Sequence, residues 1–325
     1  MTVANVVEHW PRLPSGLKWA EANAVAVDSR DRVFVFARNP HRIVAFDRNG
    51  IFLYSWGDGL FQRPHGIHIG PDDSVYLTDD MDHTVRKFTP DGRLLLTLGV
   101  SGQASDTGAI SSDYRTVRHA GPPFHYPTNL ALAPDGTMYV SDGYGNARVH
   151  HFAADGRLLH SWGEPGSGPG QFQLPHGIAV DRTGAVYVAD RENSRIQIFT
   201  SEGAFRAEWT DVARPCQVFV DRSGMVYVAE LGFRAGRWPG MEPSPPGATG
   251  GRASIFDGHG KLQARWGGGE HPSDPGDFFA PHDICVDSHG EIYVAEVTWS
   301  AGGKNGVVPP DCHSLQKFER PSSTG

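Results

Sequence analysis

Cysteine is scarce: the 325 residues hold three, Cys216, Cys285 and Cys312, at scattered positions. An odd number of thiols without knuckle spacing excludes both a disulfide framework and a cysteine metal site. Blocks of like charge are missing, and the net charge is −8 with a pI near 6.0. Phosphate recognition needs a basic stripe, so neither nucleic acid nor an acidic membrane surface is an expected partner. No run reaches the roughly 18 apolar residues of a membrane span. The opening MTVANVVEHWPRLPSG lacks the basic-then-apolar pattern of a secretory signal, and the cytoplasm is the expected location. Helical periodicity is absent. So are the G-x-S-x-G, P-loop and dinucleotide fingerprints in a strand–turn–helix setting.

Glycine and proline are plentiful, 40 and 24 residues, which suits short strands joined by tight turns. Aligned on VDxxGxVYVAD, the chain shows six similar units, beginning at Asn23, His65, Thr128, His176, Cys216 and His282. In each, an alternating strand meets a turn such as Pro134-Asp135-Gly136, and a second strand ends in an acid. A short loop and a third strand follow, and a second turn such as AADG leads to a fourth. Period-two alternation bounded by Gly/Asp turns is the strand-and-hairpin signature. Repeated four-strand units fit propeller blades, which protect sheet edges by radial repetition. The expectation is all-β: one six-bladed β-propeller over residues 1–325, with blades near 22–57, 63–99, 126–163, 174–209, 214–267 and 280–320. The sixth unit shows only three strands. The N-terminal VVEHWPRLP, within residues 5–12, is therefore expected to supply its outer strand and close the ring.

The first position of the units holds Asn23, His65, Thr128, His176, Cys216 and His282. Histidine thus occupies alternate blades. One Pro-His at the start of a strand is most simply an imidazole bonded to a neighbouring carbonyl. Three on strict alternation, about 120° apart around the axis of a propeller, form a trigonal cap. Three imidazoles with an open fourth position match a catalytic zinc site. Antiparallel pairing brings the end of each second strand beside the start of the first. Arg38, Tyr144 and Arg191 therefore stand at the mouth with the histidines. Two guanidiniums facing a metal point to an anionic substrate, carboxylate above all. The acids Asp79, Asp142, Asp190, Glu230 and Glu296 recur too regularly to be a site and read as loop anchors.

The stretch Tyr139–Phe199 carries SDGYGNAR, WGEPGSGPGQF, PHGIAV and ADRENSRIQ. Together these resemble the peptidyl-α-hydroxyglycine α-amidating lyase family of NHL-repeat propellers, and the resemblance extends over almost the whole chain. That family cleaves R–CO–NH–CH(OH)–COOH to an amide and glyoxylate at a three-histidine zinc. The resemblance implies His65, His176 and His282 as zinc ligands, with Tyr144, Arg38 and Arg191 as catalytic residues. It also implies a structural calcium on the carbonyls of Val25 and Ile67 and the carboxylate of Asp283. Asp283 stands where two other blades have Gly66 and Gly177. The expected substrate is a small or peptide-derived carboxylate.

Two departures bear on the substrate. Disulfide positions of the secreted animal members hold Gly145, Tyr187 and Ile198, and a stand-alone propeller without a preceding monooxygenase domain is expected. Glycine/proline-rich insertions at 234–251 and 298–312 are expected to rim the mouth and reshape it. Two alternatives remain at this point. One is a metal-dependent hydrolase like the propeller lactonases, which use acidic and Asn ligands for calcium. The other is a non-catalytic NHL interaction module.

Overall fold

The computed structural model describes residues 4–40, 42–237, 244 and 247–319. His41 and part of the 234–251 insertion lie outside them. Among the described residues the chain forms six antiparallel sheets, five of four strands and one of three, each following chain order from inside to outside. They run over 21–56, 64–99, 127–162, 175–209, 215–267 and 281–318. No helix among these residues is long and apolar enough to cross a membrane.

The alternating pattern explains the layering. The second strand of blade 4, Val186–Asp190, is buried throughout because both its faces meet neighbouring sheets. Its outer strand, Phe205–Trp209, is half exposed. Turns between first and second strands are fixed by a recurring aspartate. Asp181 Oδ1 accepts from the amides of Thr183 and Ala185 at 2.8 and 3.0 Å, while Gly184 adopts φ +84°, a conformation natural to glycine. Side chains from adjacent blades interlock between sheets, as where Tyr227 and Ile255 of blade 5 meet Ile284 and Val294 of blade 6.

The three-stranded sixth sheet is completed by the N-terminal chain. Val6 bridges Phe318, and the amide of Val7 donates to the Lys317 carbonyl at 2.8 Å. Trp10 then leaves the sheet and packs against Tyr293, with ring centroids 4.9 Å apart.

The inner strands share one irregularity that the repeat pattern did not reveal. In every blade the pairing of first and second strands slips by one residue at the position that opens the unit. Pro64 faces Asp79 and Gly66 faces Thr78, leaving His65 without a partner. His176, Cys216 and His282 are skipped in the same way, as are Thr128 and Asn23. Such a bulge re-aims one residue out of the ladder. Here it turns six residues, one per blade, toward the channel. The acids at the strand ends hold the preceding loop in place. Asp79 accepts from the amides of Gln62 and Arg63, Asp142 from His125, Asp190 from Gln173, Glu230 from Ala213, and Glu296 from Phe279 and Ala280.

Candidate metal centre

The three bulged histidines meet in the channel. Ring centroids of His65, His176 and His282 lie 4.7–4.8 Å apart pairwise, and one nitrogen from each falls within 4.8 Å of the others. Each ring is held from behind by the bulged residue of the next blade. His65 Nδ1 is 2.6 Å from the Thr128 carbonyl, His176 Nδ1 is 2.8 Å from that of Cys216, and His282 Nδ1 is 2.9 Å from that of Asn23. A carbonyl only accepts, so each Nδ1 carries the proton and each Nε2 keeps its lone pair. The six bulges therefore divide the work: three supply imidazoles and three supply the oxygens that orient them.

Electrostatics favour the neutral rings. Burial, foremost, holds all three histidines well below the usual imidazole range, with Arg38 among the charges that assist. The donor set of three buried, neutral, oriented imidazoles fits a metal ion. It is the only such cluster of three metal-ligating groups among the described residues.

Tyr144 leans over this cap. Its hydroxyl is 3.1 Å from His176 Nε2 and 3.4 Å from His65 Nε2. The glycines on either side of it are required by close approach. A Cβ on Gly143 would stand 3.0 Å from the Pro175 carbonyl carbon, and one on Gly145 would stand 2.6 Å from His125 Cγ.

Arginines surround the tyrosine. Arg191, buried, directs NH1 to the Tyr144 hydroxyl at 3.3 Å and Nε to Glu192 at 2.8 Å. Burial opposes its charge, but Tyr144 and Glu192 outweigh that and hold the guanidinium protonated. Arg38 lies across the mouth, with Nε on the Pro64 carbonyl at 2.9 Å and NH1 on Glu21 at 3.0 Å. Glu21 in turn accepts from the Ser300 amide at 2.8 Å, tying Arg38 to the 298–312 insertion.

Arg63 was not singled out in the sequence. It grips Asp80 through two contacts of 2.6 and 2.7 Å, and its guanidinium carbon is 5.6 Å from the Tyr144 ring centre. Its signal was available, since it stands two residues before His65 in the motif Arg-Pro-His. These groups line a cavity of about 560 Å³, to which Gly236 and Arg237 of one insertion and Trp299, Ser300 and Lys304 of the other also contribute. These described residues of the two insertions thus rim the mouth.

Deeper in the channel, Val25, Ile67 and Asp283 line a second cavity of about 120 Å³. Asp283 accepts from the Val25 amide at 3.1 Å and the Ile284 amide at 2.8 Å. Burial pushes its carboxyl up to about 8. Both of these partners are neutral amides, so neither offsets the charge of the ionised form.

Known proteins resemble this chain in sequence and in fold. Residues 172–199 match the NHL repeat model. The chain is 34% identical over 216 residues to mouse peptidyl-glycine alpha-amidating monooxygenase, covering 56% of this chain and 21% of that protein. Identity to peptidyl-alpha-hydroxyglycine alpha-amidating lyase 1 of Drosophila melanogaster is 31%, over 83% of this chain and 50% of that protein. Human NHL repeat-containing protein 3 is 29% identical, over 89% of this chain and 80% of its own length. The chain therefore spans about a fifth of the mouse protein and half of the Drosophila one. Among solved structures, virginiamycin B lyase of Staphylococcus aureus superposes with a TM-score of 0.56 at 15% identity, over 93% of this chain and 82% of that one. A gluconolactonase of Xanthomonas campestris gives 0.58 at 14%, over 99% and 98%. At such identities these two speak for the fold alone. The chain is a six-bladed NHL-repeat propeller homologous to the peptidyl-α-hydroxyglycine α-amidating lyases.

Proposed function

We propose that this protein is a zinc-dependent lyase that cleaves the C–N bond of an α-hydroxyglycine-type carbinolamide, R–CO–NH–CH(OH)–COOH, to an amide and glyoxylate. The observation that carries this reading is the trio of carbonyl-locked imidazoles with the Tyr144 hydroxyl within 3.4 Å of two of them. His65, His176 and His282 would hold the zinc, which when bound supplies Lewis acidity toward a substrate oxygen. Asp283, with the carbonyls of Val25 and Ile67, would hold a structural calcium.

Arg38 and Arg191 are the groups assigned to the substrate carboxylate. Both present guanidinium N–H to the mouth, and an arginine fork matches a carboxylate bidentately. Tyr144 Oη accepts the proton of the substrate hydroxyl. The electron pair left on that oxygen forms the aldehyde carbonyl of glyoxylate, the C–N bond breaks, and the amide nitrogen leaves with the proton that Tyr144 returns. The cationic collar stabilises the negative charge that develops on oxygen during this collapse. The cavity exceeds the needs of the glycolate part, so the acyl group R extends toward the insertions. Three free, buried thiols support a reducing compartment such as the cytoplasm.

The test is direct. Zinc-loaded protein incubated with α-hydroxyhippurate is expected to release glyoxylate and benzamide, with one zinc bound per chain. Calcium as the sole metal would move the assignment to a propeller hydrolase, and the absence of any bound metal to an interaction module.

A further inference from the structure

Arg214 stands two residues before Cys216 in blade 5, where blade 2 has Arg63 before His65. It belongs to no part of the chemistry above, yet it is among the largest fully buried side chains. All five of its N–H donors are used. Nε and NH2 grip the two oxygens of Glu192 at 3.1 and 2.8 Å. The remaining donors reach the carbonyls of Gly232 at 3.2 Å, Ala235 at 2.9 Å and Gly236 at 3.0 Å, where the 234–251 insertion begins. Glu192 is the same carboxylate that holds Arg191 Nε at 2.8 Å.

Two buried guanidiniums thus share one carboxylate, leaving one positive charge uncompensated across these three side chains. Were Arg214 absent, Glu192 would be free to engage Arg191 alone, as a closed one-to-one pair with little remaining pull on an anion. We propose that Arg214 is a positioning residue. It occupies Glu192 so that Arg191 stays turned to the mouth with surplus charge, and it locks the insertion rim in register with that carboxylate-binding arginine. Substrate carboxylate capture and the placement of the rim that meets the acyl group are therefore coupled through one side chain. A lysine there offers three donors in place of a rigid five-donor fork and cannot hold both.

The proposal rests on the carboxylate substrate named under the lyase function, but its test does not need turnover. Hippurate (N-benzoylglycine) carries the carboxylate and lacks the carbinol hydroxyl. Binding of hippurate to the zinc-loaded protein is measured by calorimetry for wild type, Arg214→Met and Glu192→Asp. Zinc content and near-UV circular dichroism are recorded in parallel, with KM and kcat on α-hydroxyhippurate. Arg214→Met is expected to weaken hippurate about tenfold or more and to raise KM far more than it lowers kcat. Glu192→Asp keeps the charge but shortens the reach, and is expected to weaken hippurate about threefold or more. Should Arg214→Met not fold, Glu192→Asp decides.

Wild-type affinity in a folded variant overturns the proposal. So does a loss of affinity that comes only with lost zinc or lost tertiary structure, because the role is then merely structural. Intact Arg214-dependent hippurate binding with no glyoxylate from any form would remove the lyase function and leave the positioning role standing.

Discussion

His176 Nδ1 lies 2.8 Å from the carbonyl oxygen of Cys216, the residue that occupies the same bulged position one blade further on. The contact is to backbone, so it separates the side chain at 216 from the support it gives. His176→Ala is expected to abolish stoichiometric zinc, measured by elemental analysis after dialysis. Cys216→Ala leaves the carbonyl in place and is expected to retain it.

The Tyr144 hydroxyl reaches the His65 and His176 rings and Arg191. Tyr144→Phe should therefore keep zinc and thermal stability while lowering kcat by about 10²–10⁴-fold, the range of a lost general base. Full activity in that variant would take Tyr144 out of the mechanism.

Gly177 follows His176 and faces the next blade, where an added Cβ would stand 2.5 Å from the Cys216 carbonyl. The Cα of Gln217, 2.7 Å away, is a second backbone contact and leaves little room to relax. Gly177→Ala is expected to cost about 1–3 kcal/mol in urea unfolding, with weaker zinc retention because the same carbonyl orients His176.

Asp283 has a buried carboxyl whose charge is opposed by its surroundings. Added calcium is expected to raise the Tm of the wild type and not that of Asp283→Asn. Without metal the Asn variant should be no less stable than wild type near neutral pH, since a carboxyl pushed up to about 8 is mostly protonated there and the amide is a neutral replacement of the same shape.

His313 offers a pH test away from the metal centre. Burial works to lower its pKa, but the hydrogen bond and charge of Glu296, 3.3 Å away, prevail and raise it. The folded protein then holds this proton more tightly than the unfolded chain. The stabilisation is fully present below the unfolded value near 6.5 and is lost as pH rises through the folded one. His313→Gln should therefore destabilise the protein more at pH 5.5 than at pH 9, read as the difference in Tm from wild type. A difference that is equal at both would remove the ion pair from the stability of blade 6.

The repeat made the propeller legible, because alternating strands and Asp/Gly turns are local features written in each unit. The histidine trio was legible for a related reason: symmetry turns spacing along the chain into angle around an axis. Arg38, Tyr144 and Arg191 followed from antiparallel pairing. The bulges did not follow, since one skipped residue at the start of a strand leaves the apolar alternation beyond it unchanged. Without them the carbonyl partners of the imidazoles had no reason to appear. Arg63 and Arg214 were hidden differently. Each precedes a proline in a loop, where an arginine is ordinarily solvated. Only the fold brings Asp80 to the first and Glu192 to the second.

The ring of bulges seats more than the three imidazoles. The side-chain amide of Asn23 already donates to the His65 carbonyl, in the same sense in which His282 donates to Asn23. At blade 2 the backbone oxygen behind the bulge thus receives a side chain from the preceding blade, just as the oxygens behind the three imidazoles do. What sets the histidine trio apart is the company above it: Tyr144 and Arg191 overhang His65 and His176. The seating of the three rings and the groups that overhang them are therefore separate features of this scaffold, the first written in main-chain geometry and the second in a few residues at the rim.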